Sequence, residues 1–272
     1  MKRISRVTAG CLLAIMAVLL AFTAYGLLEA PVWPEGGTNV LTDGMLTVDI
    51  SHSDSGYVII SSEPSDKRIR VRVSYRKNQL YYDLDGDGTA IVVPLQFGSG
   101  KYEVELFQNT SGKKYAAEGS AEFEAELEDE SVAYLVPNQY VDYDADTEAV
   151  AISNEICAGL TTDQEKYDAI HDYIVSNYAY DFARAATISS GTLPDIDYCT
   201  TNKMGICQDL AATMACMLRV QGVPCKLVVG YIGKYYHAWC GVYIDGVETQ
   251  SDPTVELGGA PTNMSYSIER WY

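Results

Sequence analysis

The residues best suited to covalent chemistry lie in the last third of the chain. Cys207 stands in the run Gly205-Ile206-Cys207-Gln208-Asp209-Leu210-Ala211-Ala212-Thr213-Met214. Beyond it, Leu210, Ala211, Met214, Ala215 and Leu218 repeat at the spacing of one helix face, and Gly222 then Pro224 end the pattern. The spacing therefore puts Cys207 at a helix N-terminus, with Gly205 allowing a close approach of the chain. There the helix dipole and unpaired N–H groups favour a thiolate. The same N–H groups can hold an oxyanion once the sulfur attacks a carbonyl. A thiolate nucleophile also needs a base, usually His, and a group to orient that base.

Both follow in the sequence. Cys225–Tyr231 (CKLVVGY) and His237–Ile244 (HAWCGVYI) read as strands, and Asp245-Gly246 is a two-residue hairpin signal. Pairing Ile244 with Val247 across that turn puts Trp239 opposite Asp252. His237 is then the diagonal neighbour of Asp252 on one sheet face, roughly 7–8 Å away and within side-chain reach. A nucleophile, a base and an orienter are thereby expected together, in the logic of a catalytic triad. Asp209 is expected to cap the helix that Cys207 begins. Cys216, Cys225 and Cys240 are expected to pack as small apolar residues, and no disulfide is assigned.

The elements that position these groups form two stretches of different period. Between residues 38 and 127 seven short segments alternate or run β-branched: MLTVDI, GYVIISS, RIRVRVSY, QLYYDL, TAIVVPL, KYEVELF and SAEFEAEL. Turn chemistry separates them, which predicts a small β-sandwich of Ig-like type. Asp83, Asp85, Asp87 and Gly88 resemble the start of a calcium loop. Pro94 stands where such a loop needs its twelfth-position Glu, so a hairpin turn is expected. His52 has no ligand partner nearby and is expected at the surface. From about residue 140 the period is helical: Asp144–Leu160 predicts one helix, and Thr161 or Thr162 caps a second carrying Tyr167, Ile170, Ile174 and Tyr178 on one stripe. His171 beside that stripe reads as a half-buried structural histidine. The acidic segment Glu122–Glu130 marks the border. The expected fold class is α+β, with a β-sandwich at 38–127 and a helix-on-antiparallel-sheet domain at 140–272.

Residues 1–30 read as an address. Lys2, Arg3 and Arg6 precede an uncharged run from Val7 to Leu28, the layout of either a cleaved secretory signal or a signal-anchor. The expected location is extracytoplasmic. The 272 residues carry 19 Lys and Arg against 37 Asp and Glu, a net charge of −18; removing residues 1–30 leaves −20. That excess excludes a nucleic-acid partner, which needs a basic surface, and restricts membrane contact to the N-terminal segment. Apolar residues at 47% and charged residues at 21% exclude general disorder. Six of the seven cysteines lie beyond residue 30, and the 21 tyrosines against five phenylalanines suggest half-exposed aromatic surfaces.

Four blocks together, Gly205–Asp209, Arg219–Tyr231 (RVQGVPCKLVVGY), His237-Ala238-Trp239 and Asp252-Pro253-Thr254, resemble the transglutaminase-like superfamily of papain-like cysteine enzymes. The resemblance spans roughly residues 140–272 and implies Cys207 as nucleophile, His237 as base and acid, and Asp252 as orienter. It implies an acyl-transfer enzyme acting on peptide or glutamine amides through a thioester, without cofactor or metal. Its partner would be a protein or peptide, such as a cell-wall or surface protein. Hydrolysis is the favoured expectation. Protein-glutamine cross-linking and a non-catalytic binding protein with a relic triad are the alternatives. Cys240 stands where the family often has Asn, and Glu248–Ser251 lack the aromatic residue usual before Asp-Pro-Thr. Tyr198 and Asn202 are candidates for a second oxyanion donor, and Trp239 for a wall beside His237.

Overall fold

The structure is a computed structural model that describes residues 31–127, 129–261 and 264–272. The N-terminal apolar segment and its basic start lie outside the described residues. Among the described residues, no helix is long and apolar enough to cross a membrane.

The β-rich stretch folds as two four-stranded antiparallel sheets. One holds β1 (Val40–Asp43), β2 (Leu46–Asp49), β3 (Tyr57–Ser62) and β6 (Ile91–Pro94), in the order β1-β2-β3-β6. The other holds β4 (Ile69–Tyr75), β5 (Asn78–Leu84), β7 (Gly100–Ser111) and β8 (Lys114–Ala125), in the order β5-β4-β7-β8. Strict alternation gives β2 and β4 an inner face. On β4, Ile69, Val71, Val73 and Tyr75 are buried, while Arg70 and Arg72 point outward to pair with Asp83 and Glu105 on the neighbouring strands. The seven expected strands are all present. The eighth, β1, is short and mostly exposed, so it carries no inward alternation for a sequence pattern to reveal.

The expected hairpin at Asp85–Gly88 is not one. β5 and β6 belong to different sheets, so this segment carries the chain from one layer to the other. Two of the acidic groups are engaged: Asp83, at the end of β5, accepts from Arg68 and Arg70 at 2.9 and 3.0 Å, and Asp87 accepts the Thr89 N–H at 2.8 Å.

The helical stretch contains α1 (Glu148–Ile156), α2 (Asp163–Asn177), α3 (Phe182–Thr187), α4 (Ile196–Asn202), α5 (Cys207–Arg219) and α6 (Pro253–Glu256). A short parallel pair joins β9 (Ala179–Tyr180) to β10 (Met204–Gly205). A four-stranded antiparallel sheet combines β11 (Cys225–Ile232), β12 (Tyr235–Ile244), β13 (Val247–Ser251) and β14 (Tyr266–Trp271), in the order β13-β12-β11-β14. Thr162 caps α2 in a full capping box with Glu165. α1 is shorter than the expected 144–160. Asp144 and Thr147 bond each other in a turn before it, and Leu160 closes a turn onto Cys157 after it.

α5 is the central helix. From Asp209 to Arg219 every residue is buried, between the sheet on one side and α1, α2 and α4 on the other. It is fastened by bonds to its own carbonyls as well as by packing: the Cys240 thiol donates to the Ala211 carbonyl at 3.2 Å and the Ser153 hydroxyl to the Met217 carbonyl at 2.7 Å.

Residues 31–272 form one compact unit with a continuous apolar core. Aromatic rings fill the seam between the sandwich and the helical stretch: Tyr140 stacks on Tyr272 at 3.6 Å between centroids, and Phe97 meets Trp271 edge-on at 6.0 Å. Arg219, 1% exposed, pins the same seam. Its guanidinium donates to the carbonyls of Val136, Cys225 and Tyr272.

Candidate active site

Cys207 opens α5, and its position is set from both sides. Upstream, Gly205 pairs with Tyr180 in the β9–β10 bridge. A Cβ on Gly205 would come to 2.8 Å from both the Asp209 Cβ and the Cys199 Sγ, so the entry to the helix is passable only without a side chain there. Downstream, the buried Asp209 carboxylate caps the helix start. It accepts the Ile206 N–H at 3.1 Å, the Asp195 N–H at 3.0 Å and the Arg184 guanidinium at 3.0 Å. One fully buried carboxylate thereby ties α3, the start of α4 and the start of α5 together. Burial pushes its pKa up, opposed by these three donors. The Gln208 side chain bonds the Thr192 carbonyl at 3.0 Å, which lays the 188–195 loop along the same helix end. The Cys207 side chain is half-buried and therefore open to a reactant.

His237 and Asp252 meet where the hairpin count puts them. Asp245 and Gly246 both take positive φ, 50° and 76°, which two-residue turns of this type require. The ladder then runs from Ile244↔Val247 to Cys240↔Ser251. Beyond Ser251 the chain leaves the sheet, and Asp252 becomes the cap of α6, accepting the N–H groups of Thr254 and Val255 on Oδ1. Its other oxygen, Oδ2, accepts from His237 Nε2 at 2.8 Å. That bond occupies one ring nitrogen and leaves Nδ1 for the thiol side. Burial disfavours the imidazolium, but Asp252 and the neighbouring Cys207 outweigh it, and the His237 pKa rises to about 9.

Two tyrosines complete the surroundings. The Tyr266 hydroxyl donates to Asp252 Oδ2 at 2.7 Å, the same oxygen that holds His237. The Tyr180 ring fills the space over Gly259, where a Cβ would come to 2.1 Å, and its backbone pairs with Gly205. Its pKa is pushed up to about 12 by burial and by the charges of Cys207, Asp209 and Asp181. Trp239 is buried behind His237, with the rings nearly parallel and 6.2 Å apart, and meets Tyr266 edge-on at 5.0 Å.

The structure thus brings Cys207, His237, Asp252 and Trp239 together. Tyr198 and Asn202 are engaged by other partners. The Tyr198 hydroxyl donates to Asp181 at 2.7 Å, its ring carries the Arg184 guanidinium at 4.6 Å, and the Asn202 amide donates to the carbonyl of Tyr198 in its own helix. Both belong to the framework that holds Arg184. Sequence reading missed Tyr180 and Tyr266. The first lies in a two-residue strand and the second in a strand with exposed alternate positions, so neither sat in a pattern that could be counted. Cys216, Cys225 and Cys240 are buried free thiols. Cys225 and Cys240 are diagonal neighbours on adjacent strands. His171 bonds Glu256 of α6 at 2.8 Å.

Residues 150–249 match the model of the transglutaminase-like superfamily core. No curated protein matches the chain. Among solved structures, similarity is found to a protein described as a candidate cysteine protease from Cytophaga hutchinsonii. It has 15% identity and a TM-score of 0.41, over 77% of this chain and 80% of that one. A candidate protease from Parabacteroides distasonis has 12% identity and a TM-score of 0.36, over 77% of this chain and 63% of the other. The periplasmic domain of TgpA from Pseudomonas aeruginosa has 14% identity and a TM-score of 0.37, over 84% and 78%.

Proposed function

We propose, from the premise that residues 150–249 are a transglutaminase-like core, that this chain is an exported cysteine acyl-transfer enzyme acting on peptide or glutamine amides. The observation that carries the reading is the His237–Asp252 bond at 2.8 Å beside a half-buried cysteine at a helix N-terminus. Cys207 is the nucleophile, His237 the base and acid, and Asp252 the orienter.

The steps follow from the geometry. His237 Nδ1 takes the thiol proton, and Cys207 Sγ attacks the amide carbonyl carbon. The carbonyl oxygen becomes an oxyanion, held by the free N–H groups at the start of α5, where the Cys207 N–H has no partner within the helix. Tyr180, near enough to Cys207 to feel its charge, can add its hydroxyl as a second donor. The C–N bond then breaks, with the leaving amine taking the proton from His237. Water, deprotonated by the same ring, attacks the thioester and frees the acid and the thiol. We favour water over an amine acceptor because water needs no second binding site. The net charge of −20 beyond residue 30 favours neutral or basic peptides. The basic start and apolar run of residues 1–30 support export, and the domain borders at 38–127 and 140–272 belong to the same proposal.

The test is a mass-spectrometric screen of peptide libraries with and without a primary amine. Cleaved peptides or deamidated glutamine support hydrolysis, and amine incorporation supports transfer. If no peptide is altered, and iodoacetamide labels Cys207 no faster than Cys216, the enzyme reading fails in favour of a binding protein.

A further inference from the structure

Asp252 is more heavily engaged than a simple orienting carboxylate needs to be. Oδ1 accepts two backbone N–H groups, and Oδ2 accepts from both His237 and Tyr266. The backbone bonds follow from its place as the cap of α6. The Tyr266 bond comes from a different element, β14, across the sheet from the α6 loop. The Tyr266 ring is fixed against Trp239, which itself backs His237. Tyr266, Trp239, His237 and Asp252 therefore form a closed circuit of contacts around one carboxylate oxygen.

We propose that Tyr266 is a positioning residue of this site: its hydroxyl fixes the rotation of Asp252 and draws charge away from His237, so that the imidazolium gives up its proton more readily to a leaving amine. The inference rests on the acyl-transfer reading and deepens it. Two donors on one oxygen divide its negative charge, so each is held less strongly than it would be alone. Tyr266 remains a donor throughout the working range, because burial and the Asp252 bond both push its pKa up. The charged and titratable groups around the pair are few. Cys207 faces His237 from α5, and Tyr180 faces Cys207 from β9. Cys240, on β12, lies within the field of Asp252. Glu256, at the far end of α6, is engaged by His171 of α2.

The test uses the near-isosteric Tyr266→Phe, which keeps the ring against Trp239. The chain has three histidines, so the His237 ring can be followed by NMR titration of the whole protein, with His237→Gln assigning the signal. Removing the hydroxyl should raise the His237 midpoint by roughly half to one pH unit. The alkaline limb of kcat/KM should move up with it, and kcat should fall about 3–10-fold with KM unchanged. Tyr236→Phe is the control: that hydroxyl binds Arg270 and should leave the midpoint in place. A folded Tyr266→Phe with an unmoved midpoint overturns the inference, as does a shift of the same size in Tyr236→Phe. Should Tyr266→Phe melt early, Tyr266→Leu, which keeps an apolar side chain and has no donor, must show the same upward shift or the inference is overturned. The titration needs no substrate. A shifted midpoint in a protein that alters no peptide would therefore sink the acyl-transfer reading and leave the Tyr266–Asp252 coupling standing.

Discussion

The sandwich and the helical stretch bury different things. Inside the sandwich the core is Val48, Ile60, Val71, Val73, Val104, Leu106 and their like, and its charges sit outside as cross-strand pairs such as Arg70–Asp83 and Lys101–Glu122. The helical stretch buries Asp209, Thr213, Arg219, His237, Ser251, Asp252 and Thr254 among its apolar residues. Buried polar groups are costly unless fully bonded, and nearly all of these are bonded to named partners. The difference teaches where chemistry was built. Shape alone needs an apolar core, whereas a reactive site needs charges held in fixed places away from water.

Substitutions can break or sharpen that contrast, and the largest effect should come from the site itself. Cys207→Ala should remove acyl transfer to background, a loss of several orders of magnitude in kcat/KM, while the half-buried position leaves thermal stability nearly unchanged. A Cys207→Ala protein that still alters peptides would end the contrast. Asp209→Ala removes the shared acceptor of the Ile206 and Asp195 N–H groups and the Arg184 guanidinium. It should cost about 3–5 kcal/mol in denaturant unfolding and slow iodoacetamide labelling of Cys207 as the helix start loosens. Leu106→Ala, deep in the sandwich, should cost about 2–5 kcal/mol, yet leave kcat per folded molecule intact. Leu106→Ala would thus lower stability and not activity, whereas Asp209→Ala would lower both.

pH tests the same contrast more gently. The His237 pKa is raised in the fold to about 9 from an ordinary value near 6.5. A group raised in this way stabilises the fold fully below its unfolded pKa and loses that contribution as pH climbs through the folded one. Stability should therefore drift down between about pH 6.5 and 9, and His237→Gln should flatten that drift. The smallest effect belongs to the sandwich surface. Lys101→Ala breaks an exposed pair and should leave the melting temperature unmoved within error.

Much of this arrangement was legible in the sequence because two periodicities are strong. Period-2 alternation located the strands of the sandwich, and the Asp-Gly turn fixed a register that put His237 and Asp252 within reach. Illegible were the contacts made by residues without a period. Tyr180 enters the site from a two-residue strand, and Tyr266 reaches Asp252 from β14, beyond any countable hairpin. Tyr198 and Asn202 were singled out by nearness in sequence to Cys207, which could not reveal that the Tyr198 hydroxyl bonds Asp181 and the Asn202 amide bonds the Tyr198 carbonyl. The Asp85–Gly88 turn was misplaced for a related reason: turn chemistry says that the chain reverses or crosses, and only the layers decide which.

Arg219 gives the seam a consequence for how the protein can be cut. One guanidinium collects carbonyls from Val136 before the first helix, from Cys225 in the central sheet and from Tyr272 at the end of the described chain. The match to the superfamily model ends at residue 249, three residues short of Asp252 and well short of Tyr266 and Tyr272. A fragment trimmed to 150–249 would lose Asp252, the tyrosine bonded to it and two of the three carbonyls, those of Val136 and Tyr272, that accept from the buried guanidinium. The segment that matches the superfamily model is thus shorter than the compact unit, which runs the length of 31–272.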